Sequence, residues 1–389
     1  GDWPDLSKVR TIITDLDGTF FPGVSVEAKH YVEHITENDA LPGFNLNLAM
    51  ANELIEKLGI EIVPATGNNV LLAQAKFNLA SASQKWDLNT QPGIYCNGSL
   101  VLGKGGKILS QRSLKDIVAN PPADLPNSEG KLESLDGTGT FLATFMKKWL
   151  GVTERGAFTE ICVVGFTRDA MNCLDSAGGI ASSTAPNSTT YNEICGHFGV
   201  DGVLRTPEEF VNTHVLSMAL ICPKSFNEAN MLELQTFLHA EDLVCFRDPG
   251  GGPGIAAAAR LVSGEPTANF HVVAKHVHVP GMGPEIDIVP GNTNKGTGVL
   301  SYIAQCAGTS SLEKDTLEVA VFGDAGNDIE LFGSSDGTFR PAVRVAMPWT
   351  NAPRLMQDAT ICAKMHSVLA KIYEAQSNGE KLLGGNFAE

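Results

Sequence analysis

Positive charge is scarce in this sequence. Lys and Arg number 28 against 44 Asp and Glu in 389 residues, a formal net charge of −16, and no run of basic residues concentrates what there is. Nucleic acid and anionic membrane both bind through clustered cations, so neither is expected as a partner. Cysteine is also thinly spread. The eight residues, from Cys96 to Cys362, include no CxxC pair and no tight spacing. That pattern excludes a disulfide framework and points to reduced thiols in a cytoplasmic protein. No apolar run reaches the ~20 residues that cross a bilayer, no signal-peptide pattern opens the sequence at Gly1, and no internal repeat appears. What remains is ordinary globular composition, 43% hydrophobic and 19% charged, in a chain long enough for two domains and a sizeable core.

The most informative stretch is Thr11 to Phe20, TIITDLDGTF. Ile12 and Ile13 have the β-branched character of a buried parallel strand, and the strand breaks at Gly18. Asp15 and Asp17 then stand at its C-terminal end, where ligands bind in open α/β sheets. Hard carboxylate oxygens so placed suit Mg²⁺ with substrate phosphate. Taken alone, the stretch is equally an Asp-rich turn with glycine at positive φ.

Three later stretches bear on that choice. Ile60 to Asn68 (IEIVPATGN) is a second short strand ending in Thr66-Gly67. Gly291 to Gly298 (GNTNKGTG) sets Lys295 at a helix start. Val319 to Asp328 (VAVFGDAGND) is a strand running into Gly323-Asp324 and Asn327-Asp328. In that order the four stretches resemble the motifs of the haloacid dehalogenase (HAD) superfamily of phosphotransferases. The wording GDAGNDIELF, with Asn97-Gly98-Ser99 and AMPWTNA near residue 350, looks most like its Cof-type phosphatases.

The resemblance implies a role for each residue. Asp15 is the nucleophile that forms an aspartyl-phosphate, and Asp17 the acid and then the base, raised in pKa by crowding among carboxylates. Mg²⁺ is held by Asp15, the Asp17 carbonyl and Asp324, with Asp328 orienting Lys295 or a metal-bound water. Thr66, Gly67 and Gly18 bind phosphoryl oxygens, Lys295 neutralises their charge, and Asn327 shapes the metal loop. The sequence departs from the pattern after Thr66-Gly67, where Asn68-Asn69 stand in place of the usual arginine and a cationic contact is missing. AMPWTNA is longer than the usual form, with Asn351 a candidate substrate contact.

The fold class expected is α/β, a Rossmann-like parallel-sheet HAD core interrupted by an inserted α+β cap resembling the C2 type. The core takes residues 1–98 and 286–389 and the cap 99–285. Helical spacing predicts helices from Leu48 to Leu58, with Gly59 as its C-terminal cap, and from Val70 to Leu79. A hairpin over Leu100 to Leu109 opens the insert, whose helices start at Thr206 and near Ser225 with capping-box signals. The core resumes at Glu285 to Val289, with helices from Thr297 to Cys306, from Asn327, and from His366 to Ala375.

Other features are set aside. Gly333 to Gly337 matches GxSxG but follows no strand. His276 and His278 share a strand face, with His271 nearby, and read as its polar side rather than a zinc site. Gly250 to Gly254 lacks the lysine and spacing of a P-loop. The expected substrate is a small phosphorylated metabolite, a sugar phosphate first among them, and the chain a monomer or homodimer. A phosphomutase and a non-catalytic phosphometabolite-binding protein are the alternatives.

Overall fold

The computed structural model describes residues 3–22, 40–117, 140–241, 243–246, 272–277, 282–291, 293–306, 318–333, 339–350 and 352–377. The chain divides into two compact units, one containing residues up to Ser110 and from Asn294 onward, the other running from Gln111 to Thr293.

The first unit is built on five parallel strands: β1 (Thr11–Thr14), β2 (Glu61–Pro64), β3 (Val319–Gly323), β4 (Val343–Ala346) and β5 (Ile361–Cys362), in the order β5-β4-β3-β1-β2. Short β-rich runs such as TIIT and VAVFG are buried along almost their whole length, as strands covered on both faces must be. β1 lies between β3 and β2, with Ile12 beside Ala320 on one side and Ile62 on the other. The C-terminal ends of β1, β2 and β3 therefore lie side by side. Ile13, Val63, Val299, Val321 and Leu331 form the centre of the apolar cluster against this sheet.

Among the described residues, the longer helices of this unit are α1 (Ala40–Leu58), α2 (Val70–Phe77), α3 (Lys295–Cys306) and α4 (Met365–Gln376). α1 begins before its expected start at Leu48 and takes in Pro42 and Gly43. Proline is tolerated in a first turn, where its missing N–H has no partner to lose. Gly59 closes α1 at φ +66°. α3 starts at Lys295 instead of Thr297, because Asn294 Oδ1 accepts from the Thr297 amide (2.8 Å) while Thr297 Oγ1 accepts from the Asn294 amide (3.0 Å), a reciprocal cap that makes Lys295 the first helical residue. The segment expected as a helix from Asn327 is instead a 3₁₀ turn over Gly326–Phe332.

The hairpin around Gly103 to Gly106 belongs to this first unit. Its strands, Leu100–Leu102 and Ile108–Gln111, extend a three-stranded sheet begun by Gly93–Tyr95. In the second unit, seven strands run in the order Val203–Arg205, Met171–Leu174, Cys162–Phe166, Ser217–Ile221, Glu285–Pro290, Val272–Val277 and Cys245–Phe246. The four central pairings are antiparallel. Glu285–Pro290, expected to resume the parallel core, is thus a central strand of this second sheet. Helices Phe141–Thr153, Ser188–Phe198, Pro207–Val211 and Glu228–Ala240 complete the unit, around a core that includes Phe141, Trp149, Phe210 and Leu234. Thr206 and Glu209 form the expected capping box, whereas the next helix is capped by Asn227 with Asn230 and not by Ser225. The Asn227 side chain accepts from the amides of both Ala229 and Asn230, at 2.9 and 3.1 Å, which fixes the helix start two residues beyond the expected one.

Candidate active site

Three strand ends supply the site. β1 delivers Asp15, whose amide donates to the Phe322 carbonyl of β3 at 3.0 Å. That bond fixes the first aspartate beside Asp324, which follows β3. The 3₁₀ turn then returns Asp328 beneath it, where Asp328 Oδ2 accepts from the amides of Asp324 and Ala325, both at 3.0 Å. The carboxylates of Asp15, Asp324 and Asp328 offer oxygens that all lie within 4.8 Å of one another.

Lys295 enters this cluster from the start of α3. It is only 1% exposed, and its Nζ lies 2.5 Å from Asp15 Oδ1 and 2.6 Å from Asp328 Oδ1. A lone lysine would lose too much hydration to be buried this way, and two carboxylates make it possible. Burial would lower its pKa, but Asp15 and Asp328 carry it above the usual lysine value. The carboxylates outnumber the cation, and their pKa values record it. Burial, with Asp328 alongside, pushes Asp15 up to about 7. Burial and the charges of Asp15 and Asp328 push Asp324 up to about 9. A crowd of hard oxygen donors with surplus negative charge fits a divalent cation.

The surrounding backbone is shaped for close approach. Gly18 has φ +85°, and a Cβ there would run into the Asp324 carboxylate. Thr19 Oγ1 donates to Asp324 Oδ1 at 2.9 Å. From the segment after β4, Trp349 Nε1 donates to the Gly18 carbonyl at 2.7 Å, and Thr350 Oγ1 donates to the Asp324 carbonyl at 2.5 Å. The long AMPWTNA segment therefore braces both halves of the cluster. Asn351 lies outside the described residues.

Thr66 stands at the end of β2, 1% exposed. Its hydroxyl oxygen accepts from the Asn68 amide at 3.1 Å and from Asn68 Nδ2 at 2.9 Å, so its own hydrogen is left to donate elsewhere. Beside it, a Cβ at Gly67 would crowd the Asn97 side chain at 3.2 Å. Cys96, Asn97 and Gly98 all have positive φ. This left-handed turn places the Asn97 amide on the Thr66 carbonyl at 3.0 Å, and a Cβ at Gly98 would collide with the Asn294 carbonyl. The turn thereby ties the Thr66 loop to the start of α3. Asn327 lies in the 3₁₀ turn, immediately before Asp328.

Asp17 departs from expectation. Its carboxylate does not join the other three. Lys76, from α2, reaches it at 2.6 and 2.8 Å, and Asn68 Nδ2 donates to it at 2.8 Å. The Asp17 charge is still felt at Asp15, but its close hydrogen-bonding partners are a lysine and an amide. The reason lies in the turn, which carries the Asp17 side chain toward α2 instead of back over β3. Lys76 was not anticipated from the sequence, although a trace exists: it shares a helix face with Leu72 and Ala73, the one charge among apolar neighbours. Thr19, Trp349 and Thr350 carry no such sequence signal, because nothing in their local pattern marks long-range contacts.

No protein-family model matches the sequence, and no curated protein is similar to it. Solved structures are similar in fold. A HAD/COF-like hydrolase from Plasmodium vivax superposes with a TM-score of 0.56 at 12% identity, covering 96% of this chain and 97% of that one. A protein from Thermotoga maritima gives 0.52 at 15% identity, with 94% and 97% covered. One of the HAD superfamily phosphatases, from Bacteroides thetaiotaomicron, gives 0.50 at 14% identity, with 94% and 96% covered. Over nearly its whole length, then, the chain has the fold of the haloacid dehalogenase superfamily in the form found in its Cof-like hydrolases.

Proposed function

We propose that the chain is a Mg²⁺-dependent phosphatase of this superfamily, cytoplasmic, hydrolysing a small phosphorylated metabolite through an aspartyl-phosphate on Asp15. The observation that carries the reading is the buried Asp15–Lys295–Asp328 arrangement with Asp324 beside it, an anion-rich pocket of oxygen donors at the carboxyl edge of a parallel sheet. The unit from Gln111 to Thr293 is proposed as an inserted cap that sets specificity.

Asp15, Asp324 and Asp328 would hold the Mg²⁺, together with the Asp17 carbonyl. The bound cation supplies charge neutralisation for the phosphate and lets the crowded carboxylates ionise. Asp15 then attacks phosphorus: a bond forms from its carboxylate oxygen, the ester P–O bond breaks, and the leaving oxygen keeps the electron pair and takes a proton from Asp17. In the second half, water attacks the same phosphorus, Asp17 accepts the water proton, and inorganic phosphate leaves as the Asp15 carboxylate is regenerated. Thr66, through its hydroxyl hydrogen, and Lys295 hydrogen-bond the phosphoryl oxygens as charge builds on them. A sugar phosphate is the substrate proposed first.

The test is phosphate release from a panel of phosphorylated sugars, nucleotides and cofactors with Mg²⁺, beside Asp15→Asn. Release that requires Mg²⁺ and is absent from the variant supports the phosphatase. Transfer of the phosphoryl group between sugar positions without release would make the chain a mutase. Binding of a phosphorylated compound with neither reaction would make it a non-catalytic binding protein.

A further inference from the structure

Lys76 and Asp17 form an ion pair that is a poor stabiliser. The lysine side chain is 6% exposed while its partner remains 34% exposed, so Lys76 gives up its hydration for a carboxylate that still faces solvent. The desolvation of such a pair can exceed its Coulombic gain. The apolar packing of this helix end is supplied by the next residue, Phe77, in a cluster of aromatic rings with Phe20, Phe21, Phe44 and Trp86. Fold stability does not account for a lysine at this position.

Its geometry does. Nζ contacts both oxygens of Asp17, at 2.6 and 2.8 Å, and Asn68 Nδ2 spans Asp17 Oδ2 and Thr66 Oγ1, at 2.8 and 2.9 Å. Asp17 is held at a fixed distance from the phosphoryl-binding hydroxyl, outside the close cluster of the Asp15, Asp324 and Asp328 carboxylates. We infer that Lys76 is a positioning residue for the second half reaction, holding the Asp17 carboxylate where it accepts the proton of the water that attacks the aspartyl-phosphate. The inference rests on the phosphatase reading. Lys76 here serves Asp17 and does not bind the substrate phosphate, because both Asp17 oxygens engage an ammonium that is almost wholly buried. The cation missing at Asn68 is in effect supplied from α2, with Asn68 as the link to Thr66.

p-Nitrophenyl phosphate isolates the step. Its leaving group needs no protonation, so kcat/KM reports attack by Asp15, whereas kcat includes the hydrolysis that needs Asp17. Lys76→Met is expected to lower kcat by about 10–100-fold with kcat/KM within about threefold of wild type. Rapid mixing should then show a burst of p-nitrophenol close to one equivalent per enzyme. Lys76→Arg, which keeps the cation, should recover most of the turnover without a burst. A parallel fall in kcat and kcat/KM, or no change in either, would overturn the assignment and leave the phosphatase intact. Turnover that is absent in wild type, or that survives Asp15→Asn, would sink the phosphatase reading and the role of Lys76 with it.

Discussion

At Lys295 and its neighbours, the physics makes opposite predictions for two substitutions. Lys295→Met leaves Asp15 and Asp328 facing each other without their shared cation. Removing one partner of a buried pair costs about 3–5 kcal/mol, which urea denaturation of the variant should register, along with loss of turnover. Asp324→Asn instead removes a carboxylate that burial and its neighbours already hold at a pKa of about 9. The metal-free variant should melt at a higher temperature than wild type, and Mg²⁺ should no longer raise that temperature. Equal melting temperatures with and without metal in wild type would contradict the assignment. The placement of these residues is legible in the sequence, because Asp15, Thr66, Lys295 and Asp324 each sit at the end of a strand or start of a helix that the local pattern reveals. Asp17 is the exception. The turn carries its side chain to Lys76, a contact between residues far apart in the chain that no periodicity encodes.

Among the elements, α2 links stability to the site. Its N-cap is Asn69, fully buried, with Oδ1 accepting from the Leu72 amide at 2.9 Å. Asn69→Ala is expected to cost about 1–2 kcal/mol and, by loosening the helix that carries Lys76, to reduce turnover beyond what the fraction unfolded explains. Parallel measurement of chemical denaturation and kcat distinguishes these contributions. Gly18→Ala tests the turn after β1. A side chain at φ +85° is strained by about 1–3 kcal/mol, and its Cβ would displace the Asp324 carboxylate, so Mg²⁺ affinity measured by calorimetry should fall more than stability does. The parallel strands and their helices are readable from short β-branched runs and capping residues. The start of α1, the 3₁₀ turn at Gly326–Phe332 and the Asn227 cap are not, since proline in a first turn, a tightened turn and competing polar side chains each satisfy more than one local rule. Glu285–Pro290 shows the same limit on a larger scale: an apolar strand does not declare which sheet it will join.

For the molecule as a whole, the surplus of negative charge governs the response to pH. Asp15 and Asp324 have folded-state pKa values raised above their ordinary carboxylate value, to about 7 and about 9. A raised group binds its proton more tightly in the folded state, so its contribution to stability is complete below about pH 4 and is lost as pH rises through the folded value. Metal-free protein should therefore lose stability between roughly pH 4 and 9, whereas Mg²⁺, which competes with those protons, should stabilise it more at pH 9 than at pH 6. Melting curves with chelator and with Mg²⁺ at both pH values give the comparison, and a Mg²⁺ effect that shrinks with pH would oppose it. Two units were expected from chain length and a change of character after Ser99. Their division at Ser110 and Thr293 was less legible, because the hairpin of Leu100–Leu102 and Ile108–Gln111 pairs with Gly93–Tyr95 through backbone bonds that any sequence of suitable polarity can make.

The central claim is that Asp15 takes the phosphoryl group. Acid quenching during turnover of p-nitrophenyl phosphate with Mg²⁺, followed by peptide mass mapping, tests it directly, with Lys76→Met used to accumulate the intermediate. The account predicts one phosphoryl group on the peptide carrying Asp15, removed by hydroxylamine as an acyl phosphate must be and absent from Asp15→Asn. Phosphate release with no label at Asp15, or with the label on another residue, would contradict it.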